Sequence, residues 1–424
     1  MATKDEILEQ LTLAEEHIAN AKVMVNDGPE PPPEYVPVNP GDNIMQLIQD
    51  NPENTLFAVH NDFIQNIGQT TFPKPCTLKS ERGKLITCLT VKPNTHFIGM
   101  MLDGANSNTI LTAADGTTVD ASTLTGGVSG QHRGIAANCK GVRIRNSRIV
   151  NIFKDQDTQA VSGWDGTDDL EITGNYLEAS GENIMFGGAD SSSEQNMPRN
   201  ILIENNFLTK KIEWRASPLA SCKNLIELKA VTNIIIRKNE MEYSFVDGQI
   251  GYAVVFSVRN QEGNAPWSTV KNVLYEENIT RHTAGGLSIL GRDDTPGHVS
   301  TVMSNVMVRK NQFLDINSAF GGNGRQVFIS GGPDALTLDG NEFQCTTNPN
   351  SALSFDQPQN LVTNLVIQNQ VLFIEGSYGI FGTNAPGLGT PVLNMYAPGY
   401  VWQNNNVHKS GIRNIPWPAG TNFV

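Results

Sequence analysis

A six-residue pattern, apolar–x–apolar–x–x–Asn, recurs along most of this chain and limits its possible folds more than any other feature. The copies end at Asn175, Asn206, Asn239, Asn278, Asn311 and Asn341, with degenerate copies ending at Gln370 and Asn405. Successive copies lie 29 to 39 residues apart. A repeat of this length around a period-2 apolar core predicts a solenoid, whose turns stack and share one continuous core.

Each copy of the pattern predicts a β-strand, because alternate residues of a strand point to opposite faces and the two apolar residues would face the core. The Asn would lie where the chain bends, since Asn tolerates left-handed backbone geometry. Asn side chains of successive turns can also hydrogen-bond as a ladder. The sequence therefore predicts an all-β fold, a right-handed parallel β-helix. Leucine-rich repeats are excluded, because the period is too long and their leucine template is absent.

Composition excludes several classes of function. The 424 residues carry a net charge of −13, which argues against a nucleic-acid partner because phosphate binding needs a basic surface. No run of 18 apolar residues occurs, so we expect no membrane span. The five cysteines show no metal-binding spacing. They predict reduced thiols, with Cys76 and Cys88 the only pair suited to a disulfide.

The N-terminal part of the sequence differs from the repeats. Residues 4–26 carry a heptad seam formed by Ile7, Leu11, Ala14, Ile18, Ala21 and Val25. The seam predicts a helix within residues 1–27 that either oligomerises as a coiled coil or packs on its own body. Residues 28–40 are rich in proline and predict a stiff linker.

The β-helix is predicted over residues 41–410, with a short helix from Asn43 to Gln49 capping its first turn and a tail over 411–424. A coiled coil, a linker and a β-helix without a signal peptide resemble in layout the tail spikes and fibres of bacteriophages. The resemblance implies a homotrimer in a virion, made in the host cytoplasm and attached to virion proteins through its N-terminal helix. A bacterial protein exported by a non-Sec route is the alternative.

A column of charged residues is predicted on one side of the solenoid. A second strand precedes each Asn pattern, and in three consecutive turns it ends in Lys229, Arg259 or Arg292. Parallel neighbours are about 4.8 Å apart, so the three cations would form a column about 10 Å tall. The flanking acidic residues are Glu227, Asp293 and Asp294. Two interpretations stay open: a salt-bridged surface ladder, and an anion-binding cleft suited to an acidic polysaccharide.

The residues Glu227-Leu-Lys229, followed one turn later by Val255-Phe-Ser-Val-Arg259, are similar to the chondroitinase-B and alginate-lyase group of β-helix polysaccharide lyases. The usual Arg-His-Gly is Arg259-Asn260-Gln261 here. The resemblance implies β-elimination, in which Lys229 removes the proton α to the sugar carboxylate and Arg259 assists the leaving oxygen. A neighbouring arginine would lower the pKa of the lysine and favour its free base.

The same group of lyases uses Ca²⁺ to neutralise the substrate carboxylate. No acidic cluster in this sequence identifies a metal site, so the sequence leaves the use of calcium open.

A second resemblance, over about residues 181–294, is to a group of uncharacterised bacterial right-handed β-helix proteins. The matching stretches are Gly181–Asp190, Trp214-Arg215, Asn224–Lys229, Phe256–Gly263, Ala265–Trp267, Arg281-His282 and Leu290–Asp294. It implies the fold and one concentrated site. Arg215, Arg281 and Trp267, which lie in these stretches, are also predicted to bind substrate. Trp267 either stacks on a sugar ring or clamps its loop onto the coil.

Two other functions remain open. A pectinase-like glycoside hydrolase would use Asp residues from adjacent turns, spaced to admit water. The candidates are Asp165, Asp168, Asp169, Asp293 and Asp294. The third possibility is a structural solenoid of a virion that performs no chemistry.

Overall fold

The computed structural model describes residues 35–346, 351–375, 378–410 and 415–424. The predicted N-terminal helix and its coiled coil lie outside the described residues, as do residues 28–34 of the predicted linker.

Three parallel sheets run along the molecule. Sheet 1 consists of Tyr35–Val38, Thr55–Val59, Cys76–Lys79, His96–Ile98, Thr118–Asp120, Arg143–Arg145, Asp168–Thr173, Arg199–Glu204, Val231–Arg237, Val270–Glu276, Ser304–Arg309, Asp334–Asp339, Val366–Gln368 and Val401–Gln403. Every strand pair along this sheet within the described residues is parallel, as a β-helix requires.

Sheets 2 and 3 cover the other sides of the core. Sheet 2 consists of Ile64–Thr71, Lys84–Thr90, Met101–Gly104, Thr123–Thr125, Arg148–Ile152, Tyr176–Ala179, Phe207–Thr209, Glu240–Ser244, Ile279–Thr283, Gln312–Ile316, Glu342–Cys345, Val371–Glu375, Asn405–Ser410 and Thr421–Phe423. Sheet 3 consists of Thr109–Thr112, Arg133–Ala136, Gln159–Gly163, Glu182–Phe186, Ile226–Leu228, Tyr252–Ser257, Gly285–Leu290, Arg325–Ser330, Ser351–Phe355 and Gly379–Gly382. The two sheets join at Lys84–Thr90, which pairs with a strand of each.

The apolar residues of the repeat form the core. In sheet 1 the inward positions Ile172, Ile203, Ile236, Tyr275 and Val308 are paired turn by turn and fully buried. Since each turn has too small a core of its own, stacking is what removes these side chains from water. The predicted parallel β-helix is confirmed.

The asparagines of the repeat form a buried ladder, as predicted. The Nδ2 of Asn239 donates to Oδ1 of Asn278 at 2.9 Å, and Nδ2 of Asn278 donates to Oδ1 of Asn311 at 3.0 Å. The left-handed backbone geometry that the sequence predicts at the Asn occurs one residue earlier. The left-handed residue precedes the ladder residue, as in Lys238 and Glu277, with φ near 55°. The bend therefore lies before the Asn, whose side chain then satisfies buried backbone groups of the bend.

The predicted boundaries shift at both ends. The capping helix is present as Ile44–Asp50, with Asn43 accepting hydrogen bonds from the first turn. Tyr35–Val38, which the sequence assigns to the linker, is a strand paired with Thr55–Val59. Thr421–Phe423, assigned to the tail, pairs with Asn405–Ser410. The β-helix therefore extends beyond both predicted limits.

The remaining described helices lie in connections between strands. They are Thr390–Tyr396 and the 3₁₀ helices Glu194–Asn196, Ile212–Ala216 and Ser318–Phe320. Across the described ranges, no helix has both the length and the apolar character to cross a bilayer. All five cysteines are buried and carry free thiols, including Cys76 and Cys88.

Candidate functional site

Two adjoining depressions lie on the outward face of sheet 3. Each has a volume of about 300 Å³, and both are lined by Ile250, Ser257, Arg259 and Ser288. Because they share these walls, they form one continuous groove. The predicted cations lie along it, with Lys229 in the first depression, Arg292 in the second and Arg259 in both. We call the surface lined by Lys229, Arg259 and Arg292 the cationic groove.

The register of the strands brings these cations to one wall. The core residues Leu228 and Phe256 are paired on neighbouring turns, and the N–H of Arg259 donates to the carbonyl of Lys229 at 3.1 Å. The next turn is joined by the N–H of Val258, which donates to the carbonyl of Leu290 at 3.1 Å. Residues 30 or more positions apart in sequence thus become neighbours at the ends of the strands.

Gly187, on the turn before Lys229, allows this lysine to lie against the wall of the groove. Gly187 has a φ of +84°, and a Cβ there would approach the Cβ of Lys229 to 3.0 Å and the N of Ala230 to 2.6 Å. A side chain at this position would be strained by the backbone and would collide with the neighbouring turn. Gly187 therefore keeps the space beside Lys229 free.

Each cation of the groove has its own partner. The Nζ of Lys229 lies 3.7 Å from Oε1 of Glu227, and a guanidinium nitrogen of Arg259 lies 3.8 Å from Oδ2 of Asp293. The contact between Arg259 and Asp293 reduces the repulsion between the three cations. It forms part of the salt-bridged surface ladder that the sequence left open as an interpretation.

Arg292 is held differently. Its Nε donates to the carbonyl of Gly331 at 3.0 Å and one terminal nitrogen donates to Gly332 at 3.3 Å. Arg259 keeps 40% of its side chain exposed, so its guanidinium remains available to an anion in the groove. The site can therefore bind an anion without first breaking a strong internal ion pair.

Two buried carboxyl groups lie beside the first depression. Glu227 is 3% exposed and Glu182 is fully buried. Glu182 accepts a hydrogen bond from Nε2 of Gln159 at 2.8 Å and lies 3.4 Å from Nζ of Lys223. Burial raises the pKa of Glu227 to about 8; the charge of Lys229 opposes this, and the charge and hydrogen bond of Glu182 add to it. Glu227 therefore holds a proton at neutral pH.

Asp157 completes the charge balance of this region. Burial alone would raise the pKa of Asp157, but the hydrogen bond and charge of Lys223, with the charges of Lys229 and Arg133, lower it below its usual range. Lys223 thus bridges an ionised Asp157 and the carboxylate of Glu182.

Two predicted substrate-binding residues lie outside the groove. Arg215 stands over the ring of Phe245 at 5.7 Å and donates to the carbonyl of Ala319, so it belongs to an aromatic cluster outside the groove. Arg281 pairs with Glu240 on the outer face of sheet 2. Arg215 and Arg281, both predicted to bind substrate, therefore do not line the cationic groove, because a 3₁₀ helix in a long connection and a strand of sheet 2 carry them to other places.

Trp267 acts as a loop clamp. Its Nε1 donates to Oγ of Ser191 at 2.9 Å, and Asp190 accepts from the N–H of Asn264 at 2.7 Å. The two connections that follow sheet 3 in different turns are thereby tied together. Of the two interpretations left open for Trp267, the structure favours the clamp.

The predicted aspartates divide between the groove and the rest of the solenoid. Asp293 lies by Arg259, and Asp294 lines the second depression and accepts from Asn360 at 2.7 Å. Asp169 pairs with Arg143 at 2.7 Å beside sheet 1, and Asp168 accepts from Asn200 at 2.8 Å.

Asp165 accepts hydrogen bonds from the N–H and the hydroxyl of Ser192, both at 2.9 Å. It serves as a turn cap and does not line either depression. The set of aspartates proposed for a hydrolase is therefore not gathered into one site.

Sequence reasoning missed several residues of the site. Glu182 opens a strand that is buried throughout and ends in Ile184-Met-Phe186, and a lone carboxyl group at the start of that apolar run was a usable signal. Gln249, Ile250 and Tyr252 also line the first depression, but Gln249 and Ile250 come from the connection before the strand Tyr252–Ser257, and Tyr252 is the first residue of that strand. Ile250 is 66% exposed although it is apolar, which the sequence pattern does not predict.

The carboxyl groups beside the groove do not fit a calcium site. Glu182 and Glu227 lie 3.4 and 3.7 Å from the ammonium groups of Lys223 and Lys229, where a cation would be repelled. Within the residues that the structure describes, no group of three or more His, Cys, Asp or Glu side chains is suited to hold a metal ion. Use of calcium stays a prediction, and no step below depends on it.

Comparison with known proteins finds similarity only among solved structures. No protein-family model matches the chain, and no curated protein matches it. A mannuronic acid specific polysaccharide family 6 lyase from the human gut microbiota superimposes with a TM-score of 0.54 at 11% identity, covering 92% of this chain and 90% of the lyase.

A tailspike mutant of the E. coli bacteriophage HK620, solved with a pentasaccharide, gives a TM-score of 0.51 at 12% identity over 88% of this chain. The match spans 64% of the tailspike, so the chain corresponds to only part of that protein. At such identities the likeness concerns the fold. The chain has the parallel β-helix fold that is found in a polysaccharide lyase and in a phage tailspike.

Proposed function

We propose that this chain binds an acidic polysaccharide along the cationic groove and cleaves it by β-elimination. The observation that carries the proposal is that Lys229 and Arg259, from adjacent turns, line one depression together with a protonated Glu227. A long groove on a solenoid suits a polymer, because successive turns can bind successive sugars. Anionic sugars match the cations, and the neutral Glu227 adds no repulsion.

The proposed reaction needs a base and stabilisation of charge at two oxygens. Lys229, as the free amine, removes the proton at C5 of a uronate, whose carboxylate carries the developing charge. The C4–O4 bond breaks, a C4=C5 double bond forms, and O4 leaves with the shorter chain and takes up a proton. Arg259 hydrogen-bonds to O4 as it gains charge.

We also propose where this activity takes place. The two solved structures described above come from proteins described with a polysaccharide substrate or a bound pentasaccharide, and one of them is a phage tailspike. With the heptad seam predicted over 4–26, this favours a trimeric virion spike that contacts a glycan of the bacterial surface. Light scattering on the full chain tests the trimer. Replacement of Leu11 and Ile18 by Asp should release monomers if the seam holds it together.

A panel of acidic polysaccharides tests the activity. We expect one of them to be shortened with the appearance of an unsaturated uronate that absorbs in the ultraviolet. New reducing ends without that absorbance would replace elimination by hydrolysis. The absence of any product or binding would leave a structural solenoid, for which the internal partners of Lys229, Arg259 and Arg292 would then be the whole explanation of the column.

A further inference from the structure

The carboxyl pair beside the groove raises the question of where its proton is held. Glu182 and Glu227 are both buried beside the first depression, and two neighbouring buried carboxyl groups do not readily ionise together. Glu182 accepts a hydrogen bond from Gln159 and lies 3.4 Å from the ammonium group of Lys223, which balance a negative charge. The ion-pair partner of Glu227 is Lys229, at 3.7 Å, and the Oε2 of Glu227 is buried and receives no donor within the described part of the chain. The proton therefore belongs on Glu227.

The charged groups around Glu227 come from several elements. Lys229 lies at the end of its own strand, Glu182 on the preceding turn, and Lys223 in the connection before the strand. Asp157 forms an ion pair with Lys223, which weakens the effect of this positive charge on Glu182 and Glu227. Arg259, on the following turn, lines the same depression.

Glu227 also borders the space that a ligand would occupy. It is nine-tenths or more buried, yet its side chain is among those that line the first depression, beside Lys229 and Arg259. A neutral carboxyl group at this place can donate a hydrogen bond to an anionic oxygen. An ionised one would repel the same anion in a site of low polarity.

We propose that Glu227, beside Glu182, stays protonated and donates a hydrogen bond to the carboxylate of a bound uronate. The proposal rests on the proposed function and specifies how the acidic sugar is recognised. No proton leaves Glu227 in this step. The bond partly neutralises the sugar carboxylate, which makes the proton at C5 easier for Lys229 to remove.

Binding of the full-length protein to short oligouronates, compared with the same oligosaccharides reduced at the carboxyl group, tests the proposal. The wild type should bind the oligouronate more tightly than its reduced form, and should lose this preference by about tenfold or more as the pH rises from 6 to 9. Glu227→Gln, whose amide donates at every pH, should bind with little pH dependence. Glu227→Ala should lose the preference at both pH values.

Glu182→Gln provides a matched variant of the neighbour. It removes the negative charge that helps Glu227 keep its proton, so the loss of binding should move to lower pH. Difference infrared spectra of wild type and Glu227→Gln, without any ligand, should show a protonated carboxyl band at pH 6 that disappears by pH 9.

The outcomes separate the two proposals. If the wild type binds a uronate but Glu227→Gln keeps the wild-type pH profile, the role of Glu227 is overturned while the proposed function stands. Absence of the protonated band at pH 6 overturns it as well. If no oligouronate binds the wild type, both proposals fail together.

Discussion

The Nζ of Lys229 lies 3.7 Å from Oε1 of Glu227, at the end of the same short strand. Since burial keeps Glu227 protonated near neutral pH, this contact places an acid beside the proposed base. The nearest carboxyl group is therefore not a full counter-charge for the amine.

Lys229→Ala is expected to abolish elimination and leave the β-helix folded. Lys229 projects from the strand end, whereas the neighbouring core residues Ile226 and Leu228 are fully buried and unchanged. Loss of the base should lower kcat by about 10²- to 10⁴-fold, with a smaller effect on KM. Ultraviolet detection of the unsaturated product, with circular dichroism of the variant, measures both parts.

Lys238→Ala is the matched control for Lys229→Ala. Lys238 is half exposed beside Glu204 on sheet 1, away from the groove. Its removal should leave product formation unchanged. Equal losses in the two variants would speak against Lys229 as the base and for a general effect of charge.

The stability of the fold should depend on pH through Glu227. In the folded chain the pKa of Glu227 is raised from 4.5 to about 8, so between these values the folded state holds a proton that the unfolded state has released. The free energy of unfolding then falls as pH rises through this window, because the unfolded state releases a proton that the folded state keeps. Glu227→Gln removes this dependence. The difference in stability between Glu227→Gln and wild type should therefore shift in favour of the variant as the pH rises from 4.5 to 8.

Urea unfolding at several pH values measures the difference between the two proteins. Other groups titrate in the same range, but they are common to both and cancel in the comparison. Parallel stability curves for wild type and Glu227→Gln would show that Glu227 has an ordinary pKa in the folded chain.

The repeat pattern predicts the fold and the column because both follow from periodicity. Once Leu228 and Phe256 are known to be core residues of adjacent turns, the positions of Lys229 and Arg259 follow from the alternation of the strand. The Asn ladder is predictable for the same reason, since Asn239 and Asn278 occupy equal places in two copies.

The errors arise where position is not periodic. Arg215 lies in a 3₁₀ helix inside a long connection, and nothing in the repeat states which face that connection covers. Arg281 lies on a strand of sheet 2 and not of sheet 3. The sequence resemblance that includes Arg281 does not indicate which sheet it lies on. Glu182 acquires its role only from Glu227, 45 residues later, through burial that a sequence does not display.

Arg215→Ala should lower stability and leave glycan binding intact. The guanidinium stands over Phe245 and donates to the carbonyl of Ala319, which joins two distant connections. Loss of the cation–π contact and the hydrogen bond is expected to cost about 1 to 2 kcal/mol. The urea midpoint measures the first effect, and titration with the oligouronate measures the second.

Weakened binding by Arg215→Ala at unchanged stability would return this residue to the binding site, against its position in the structure. Arg215→Lys is the useful companion, because it retains the charge but not the planar group that packs on Phe245. Its stability should resemble that of the alanine variant.

The buried Asn ladder should account for far more stability than the asparagines on the surface. Asn278 accepts from the N–H and Nδ2 of Asn239 and donates to Asn311 and to the carbonyl of Ile236. Asn278→Ala leaves these buried groups without partners and should lower the free energy of unfolding by about 2 to 4 kcal/mol.

Asn272→Gly is the control: Asn272 bonds to Asn233 in a half-exposed column, and its φ of 54° suits glycine. Water can replace the lost partners there, so the change should stay below about 1 kcal/mol. Equal shifts of the urea midpoint in the two variants would mean that burial adds nothing to the ladder, and that the recurring Asn serves only the bend beside it.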